Sequence, residues 1–144
     1  MVVSLAFAPI SSAQPPQAAP EAISACTQFA RALDLAALSY SDFANALALG
    51  QVNPNYGDPT VAMSNTSGRA GLREAAELAL AASRTPGLAR DVATPMRAWS
   101  VRAVKLLVLM GLRADVDRFN AAATTLNEHT EIAQMACARA GSRA

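Results

Sequence analysis

Cys26 and Cys137 are the only cysteines in this 144-residue chain, and thiols placed near its two ends have one obvious chemistry, oxidative coupling to each other. The remaining reactive residue types do not assemble a reaction. His129 is the sole histidine, so any Ser-His-Asp triad would need it, yet there is no Gly-x-Ser-x-Gly elbow and no strand to carry one. A di-iron bundle requires Glu-x-x-His pairs on facing helices, and the residue three before His129 is Leu126. Two cysteines that bond each other leave nothing for a Cys/His zinc site. Gly68-Arg69-Ala70-Gly71 lacks both the spacing and the lysine of a phosphate-binding loop. Glu128, His129 and Glu131 read as a solvated helix face, as do Arg73, Glu74 and Glu77, whose pairs are worth about 0.2 to 0.5 kcal/mol each. No catalysis and no cofactor are expected.

Recognition chemistry has two candidate locations. Gly50 to Ser67 is the one long stretch without helical pattern, rich in the turn formers Asn53-Pro54, Tyr56-Gly57 and Asp58-Pro59. Asn53, Asn55, Tyr56 and Asp58 are the candidate partner-binding residues there; the alternative is a plain connector across the end of the fold. Asn65-Thr66-Ser67 fits a glycosylation sequon, relevant only in a eukaryotic secretory pathway. Arg97 and Arg102, within a basic run that includes Arg90, Lys105 and Arg113, are the candidate anion-binding pair for an anionic ligand or lipid head group. Matching to the acids Asp115, Asp117, Glu128 and Glu131 is the simpler reading of that run.

The elements that must position these residues follow from composition and periodicity. A chain that is 52% hydrophobic yet only 5% aromatic, with alanine dominating, is biased to helix and against strand. Its net charge of +1 argues against nucleic acid as a partner. Met1 to Ala8 is a short apolar run followed by small residues, so residues 1–13 read as an export-signal remnant cleaved after Ala13, although no basic residue precedes Arg31. The run is too short for a membrane span, which takes about 20 apolar residues. Residues 14–20 form a Pro/Ala-rich lead, 21–140 a single helical domain and 141–144 a flexible tail.

Four helices are expected. The first runs from Glu21 to Leu49, ended by Gly50, with Ile23, Cys26, Ala30, Leu33, Ala37, Tyr40, Ala44 and Leu47 on its inner stripe. The second spans about Ser67 to Ser83 with Leu72, Ala76 and Ala79 inward. The third spans about Leu88 to Leu112, interrupted or kinked by Pro95 near Thr94, with Val92, Met96, Trp99, Ala103, Leu106 and Met110 inward. The apolar Val104 to Met110 segment is either buried or offers a second face to a partner, including another copy. The fourth runs from about Ala114 to Ala140, with Val116, Phe119, Ala123, Leu126, Thr130, Ala133 and Cys137 inward. Short turns make this an all-α, antiparallel four-helix bundle, up-down-up-down, stapled by one disulfide. That topology brings Cys26 and Cys137 to the same end, and facing alanines on the first and fourth helices predict a closed core with little room for a ligand.

An export signal, a Pro/Ala-rich lead and helices bracketed by one cysteine pair resemble the layout of small exported all-helical proteins of mycobacteria and other actinobacteria. Some of that group carry haem on Tyr or His, and Tyr40, Tyr56 and His129 are the residues that would serve here; the chain matches no haemophore motif, so none is assigned the role. The expectation is an exported, non-enzymatic interaction or structural protein of the cell envelope or extracellular space, with a protein partner there. A carrier of haem or another apolar ligand is the alternative, favoured by any cavity beside Trp99 and Tyr40.

Overall fold

A computed structural model describes residues 18–47 and 54–144; residues 1–13, expected to be an export-signal remnant, the expected end of the first helix at Gly50, and Asn53 fall outside them. The described chain forms α1 (Pro20–Leu47), α2 (Pro59–Ser83), α3 (Arg90–Gly111) and α4 (Val116–Arg139). They pack as the expected all-α four-helix bundle, with no strand among the described residues.

Local chemistry explains the boundaries. α2 begins at Pro59, eight residues before its expected start at Ser67: the Asp58 carboxylate accepts from Thr60 N at 2.9 Å and Pro59 occupies the first turn, where its missing N–H costs nothing. Asp58-Pro59 is therefore a helix start as well as a turn former. Asp115 does the same for α4, accepting from Arg118 N at 2.9 Å. Pro95 does not interrupt α3, which is continuous through it. Gly87 takes φ 79° in the turn between α2 and α3, and Arg113 takes φ 53° between α3 and α4.

The core holds Phe29, Phe43, Leu72, Met96, Trp99, Leu106 and Met110, each fully buried. The inner stripe expected for α3 is buried at all six positions. The stripe expected for α1 is rotated: Ile23 is exposed, Ala37 is exposed, and the buried arc is Ala25, Cys26, Phe29, Ala32, Ala36 and Phe43. Bulk decides this, because burying a phenylalanine stabilises by about 1.5 to 3 kcal/mol, against about 0.8 kcal/mol for a methyl such as that of Ala37.

Contacts are dense between α1 and α2, α2 and α3, and α3 and α4, and sparse between α1 and α4. The closest approach is at Ser39, where a Cβ on Gly68 would stand 2.9 Å from the Ser39 carbonyl oxygen and one on Gly71 would stand 2.6 Å from Ser39 Cβ. Gly68-x-x-Gly71, unsuited to phosphate, is what lets the backbone and side chain of Ser39 on α1 lie against the backbone of α2. α3 is tied to α2 by Ser100 Oγ donating to Ala76 O at 2.8 Å, and to α4 by Trp99 Nε1 donating to Thr130 Oγ1 at 2.8 Å. The bundle is in effect a three-seamed structure whose fourth seam is held at points.

Candidate functional site: the seam between α1 and α4

Two attachments close that fourth seam. At one end the Cys26–Cys137 disulfide joins the helices, Cα to Cα 6.0 Å, as the shared bundle end required. At the other, Tyr40 stacks on Phe119 with ring centroids 5.3 Å apart, and Phe43 meets the same ring edge-on at 5.1 Å. Between them lies a crevice of about 260 Å³. The expected close packing of α1 on α4 through Ala30, Ala37, Ala44, Ala123 and Ala133 does not occur, and the closed core it implied is corrected with it. Alanine gains too little area per contact to draw the two helices together over the stretch between the Phe119 cluster and the disulfide, where Phe29 has turned toward Trp99 on α3.

The floor is apolar: Leu72, Trp99, Leu106 and Leu126, with Leu33 and Ala123 on the walls. Polar groups gather at the walls and mouth as Asp34, Tyr40, Asn127, Thr130 and Gln134. Trp99 offers its ring and not its N–H, which Thr130 already accepts. Burial raises the Tyr40 phenol above its ordinary range, so at neutral pH it is an uncharged donor and acceptor. Asp34 is the one carboxylate in the lining, and no Lys or Arg lines it. No buried side-chain nitrogen or oxygen among the described residues lacks a hydrogen-bond partner, so the crevice offers apolar area first and polar selectivity at its edge.

Of the three residues that the haem resemblance singled out, only Tyr40 lines the crevice. His129 Nδ1 donates to Thr125 O at 2.9 Å on its own helix, and Tyr56 lies at the far end of α2. Among the described residues no group of three or more His, Cys, Asp or Glu could hold a metal.

The expected recognition residues of the loop carry structural bonds. Asn55 Oδ1 accepts from Gly57 N at 3.0 Å, Asp58 caps α2, and the Arg113 guanidinium lies over the Tyr56 ring at 4.7 Å from its centroid. Burial raises the Tyr56 phenol, opposed by the positive charge of Arg113, the Asn65 hydrogen bond and Arg69. Asn65, the sequon asparagine, is buried and donates to Met110 O at 3.1 Å and to Tyr56 Oη at 3.4 Å, while Arg69 Nε donates to its Oδ1 at 2.9 Å. On α3, Arg97 is exposed and Arg102 half-buried. The expected matching of α3 cations to α4 acids is absent among the described residues, where the one ion pair is Arg118 with Asp115 at 3.7 Å.

The crevice residues Leu33, Ala37, Tyr40, Ala123, Leu126 and Thr130 all belong to the inward stripes that periodicity predicts, whereas the open seam between them is not predicted by it. The available signal was Phe29 and Phe43 lying off the α1 stripe, which makes its apolar arc wider than one interface can use. A family model described as the Rv2240c four-helix bundle domain matches residues 8–138. No curated protein and no solved structure matches the chain.

Proposed function

The chain belongs to this four-helix bundle family, whose description specifies an architecture and no chemistry, and from the crevice we propose that it is an exported, non-enzymatic carrier of a small, neutral or weakly basic apolar ligand. The observation that supports this is the apolar cleft of about 260 Å³ between α1 and α4. It exceeds the engineered cavities of about 150 Å³ that take up benzene and falls just short of the roughly 300 Å³ at which drug-sized sites begin. A ligand of one or two rings fits; a four-ring haem does not. Asp34, Tyr40 and Asn127 at the mouth suit a hydroxyl or amine head group, whereas a carboxylate would meet Asp34 and find no cation. The disulfide suits an oxidising, extracytoplasmic compartment. An envelope protein partner is the second reading, supported by apolar residues exposed away from α3, Leu38 on α1 and Ile132 and Met135 on α4.

Trp99 is the only tryptophan and lies on the crevice floor, so its fluorescence reports occupancy. Titration with 2-naphthol should quench it saturably, and 2-naphthoate, the same ring system bearing a carboxylate, should bind more weakly. Ala37→Phe, which fills the slot from an exposed position, should weaken naphthol binding by about tenfold or more, ~1.4 kcal/mol. Quenching that does not saturate, or that is indifferent to Ala37→Phe, refutes a crevice carrier.

A further inference from the structure

The outward side of α3 combines exposed apolar side chains with cations. Arg90, Arg97, Val101, Val104, Val108 and Leu112 follow one another at spacings of seven, four, three, four and four, which lines them up along one face of the helix. It is the face opposite the buried Met96, Trp99, Ala103, Leu106 and Met110. Val101 is 61% exposed and Leu112 73%. Single exposed apolar residues need no explanation, but four in register make a continuous strip. The strip is bordered by cations: Lys105 is exposed beside it, and none of the α3 cations has a carboxylate within 4 Å among the described residues.

Charge identifies the occupant. α3 carries Arg90, Arg97, Arg102 and Lys105 against Asp91 alone, although the whole chain is only +1, so the other elements together are net acidic and the positive charge is concentrated on this helix. A second copy of α3 laid on the strip would bring like charges together. An anionic bilayer surface would not: valines and Leu112 enter the boundary between head groups and acyl chains, Arg97 and Lys105 reach the phosphates, and the long basic side chains snorkel to stay with them. The geometry points to the outer face of α3 as a docking surface for anionic phospholipid membranes, lying in the interface and not spanning it. Among the described residues no helix is long and apolar enough to cross a membrane. Because the strip faces away from the crevice, docking and ligand binding are separate properties.

Flotation of the purified, disulfide-bonded protein with vesicles tests this. With equal parts phosphatidylglycerol and phosphatidylcholine the protein should float with the vesicles at low salt and be released by high salt; with phosphatidylcholine alone it should stay behind. Neutralising Arg97→Gln and Lys105→Gln together should weaken binding about twenty-five-fold, the product of roughly fivefold for each surface cation. Val104→Ser with Val108→Ser should weaken it while leaving salt sensitivity intact. All four side chains are exposed, so the melting temperature should stay within a few degrees of wild type in both variants, which separates lost docking from lost folding. Three results overturn the proposal: no flotation on anionic vesicles, flotation equal on both vesicle types, or a sedimentation-equilibrium dimer that the two serine changes dissociate, which would give the strip to a second copy.

Discussion

Tyr40 is the side chain at which the seam between α1 and α4 can be read in solution. Its phenol is half-buried against Phe119 and its ionisation is opposed by burial, so the folded state holds the proton above the usual tyrosine value. The unfolded chain ionises near pH 10, so above that pH it binds fewer protons than the folded chain and stability falls as pH rises; below about pH 9 the group contributes no pH dependence. Tyr40→Phe should therefore melt close to wild type at about pH 8 and lose less on going to about pH 11, as followed by circular dichroism. An equal alkaline loss in the variant would mean that other groups dominate. Asn65 makes a different residue-scale case. Its amide bonds Met110 O, Tyr56 and Arg69 at once from a buried site, so Asn65→Ala should cost about 1 to 3 kcal/mol and lower the melting temperature. A neutral result would show that water replaces all three partners.

At the scale of elements, the glycines of α2 and α3 are predicted to answer the same substitution with opposite signs. Alanine is the better helix former by about 0.8 to 1 kcal/mol, so Gly→Ala in a helix stabilises wherever there is room. Gly111, the last residue of α3, has room, because an added Cβ would meet only Arg69 side-chain atoms at 3.6 Å. Gly68 has none, since the nearest atom is the Ser39 backbone oxygen at 2.9 Å, with Met110 Cε at 3.0 Å behind it. Gly111→Ala should raise the melting temperature slightly, whereas Gly68→Ala should destabilise by about 1 to 3 kcal/mol by forcing α1 away from α2. Thermal denaturation of the two variants side by side decides it, and a stabilised Gly68→Ala would mean that the α1/α2 seam is looser than described. The same seam explains the crevice: α1 is drawn to α2 by close backbone contact and to α3 by Phe29 on Trp99, and away from the Tyr40 and Phe43 contacts with Phe119 what it can still offer α4 is mainly alanine.

For the whole molecule the disulfide is the one covalent tie across the sparse seam, closing a sequence separation of 111 residues. In the chain-entropy account a loop of that length stabilises by about 4 to 5 kcal/mol, against a total of about 5 to 15 for a typical domain. Cys26→Ala with Cys137→Ala should lower the melting temperature substantially yet keep helical circular dichroism at low temperature, because the three dense seams remain. A variant that melts like wild type would show the staple to be dispensable. Alanine-rich composition and apolar repeats of three and four residues were enough to determine an all-helical chain with four amphipathic segments, and antiparallel connectivity then placed the cysteines together, since short turns leave no other arrangement. The buried face of α3 was legible for the same reason: Met96, Trp99, Leu106 and Met110 are large, and large side chains leave little doubt about where the core is. Tertiary structure alone decided which arc of α1 is buried, how far α2 extends toward its cap at Asp58, and that α1 and α4 stand apart. Periodicity reports that a face is apolar. How closely two apolar faces approach depends on the area each gains against every other neighbour at once, and that competition, won here by Phe29, Phe43 and the glycines of α2, exists only in the assembled bundle.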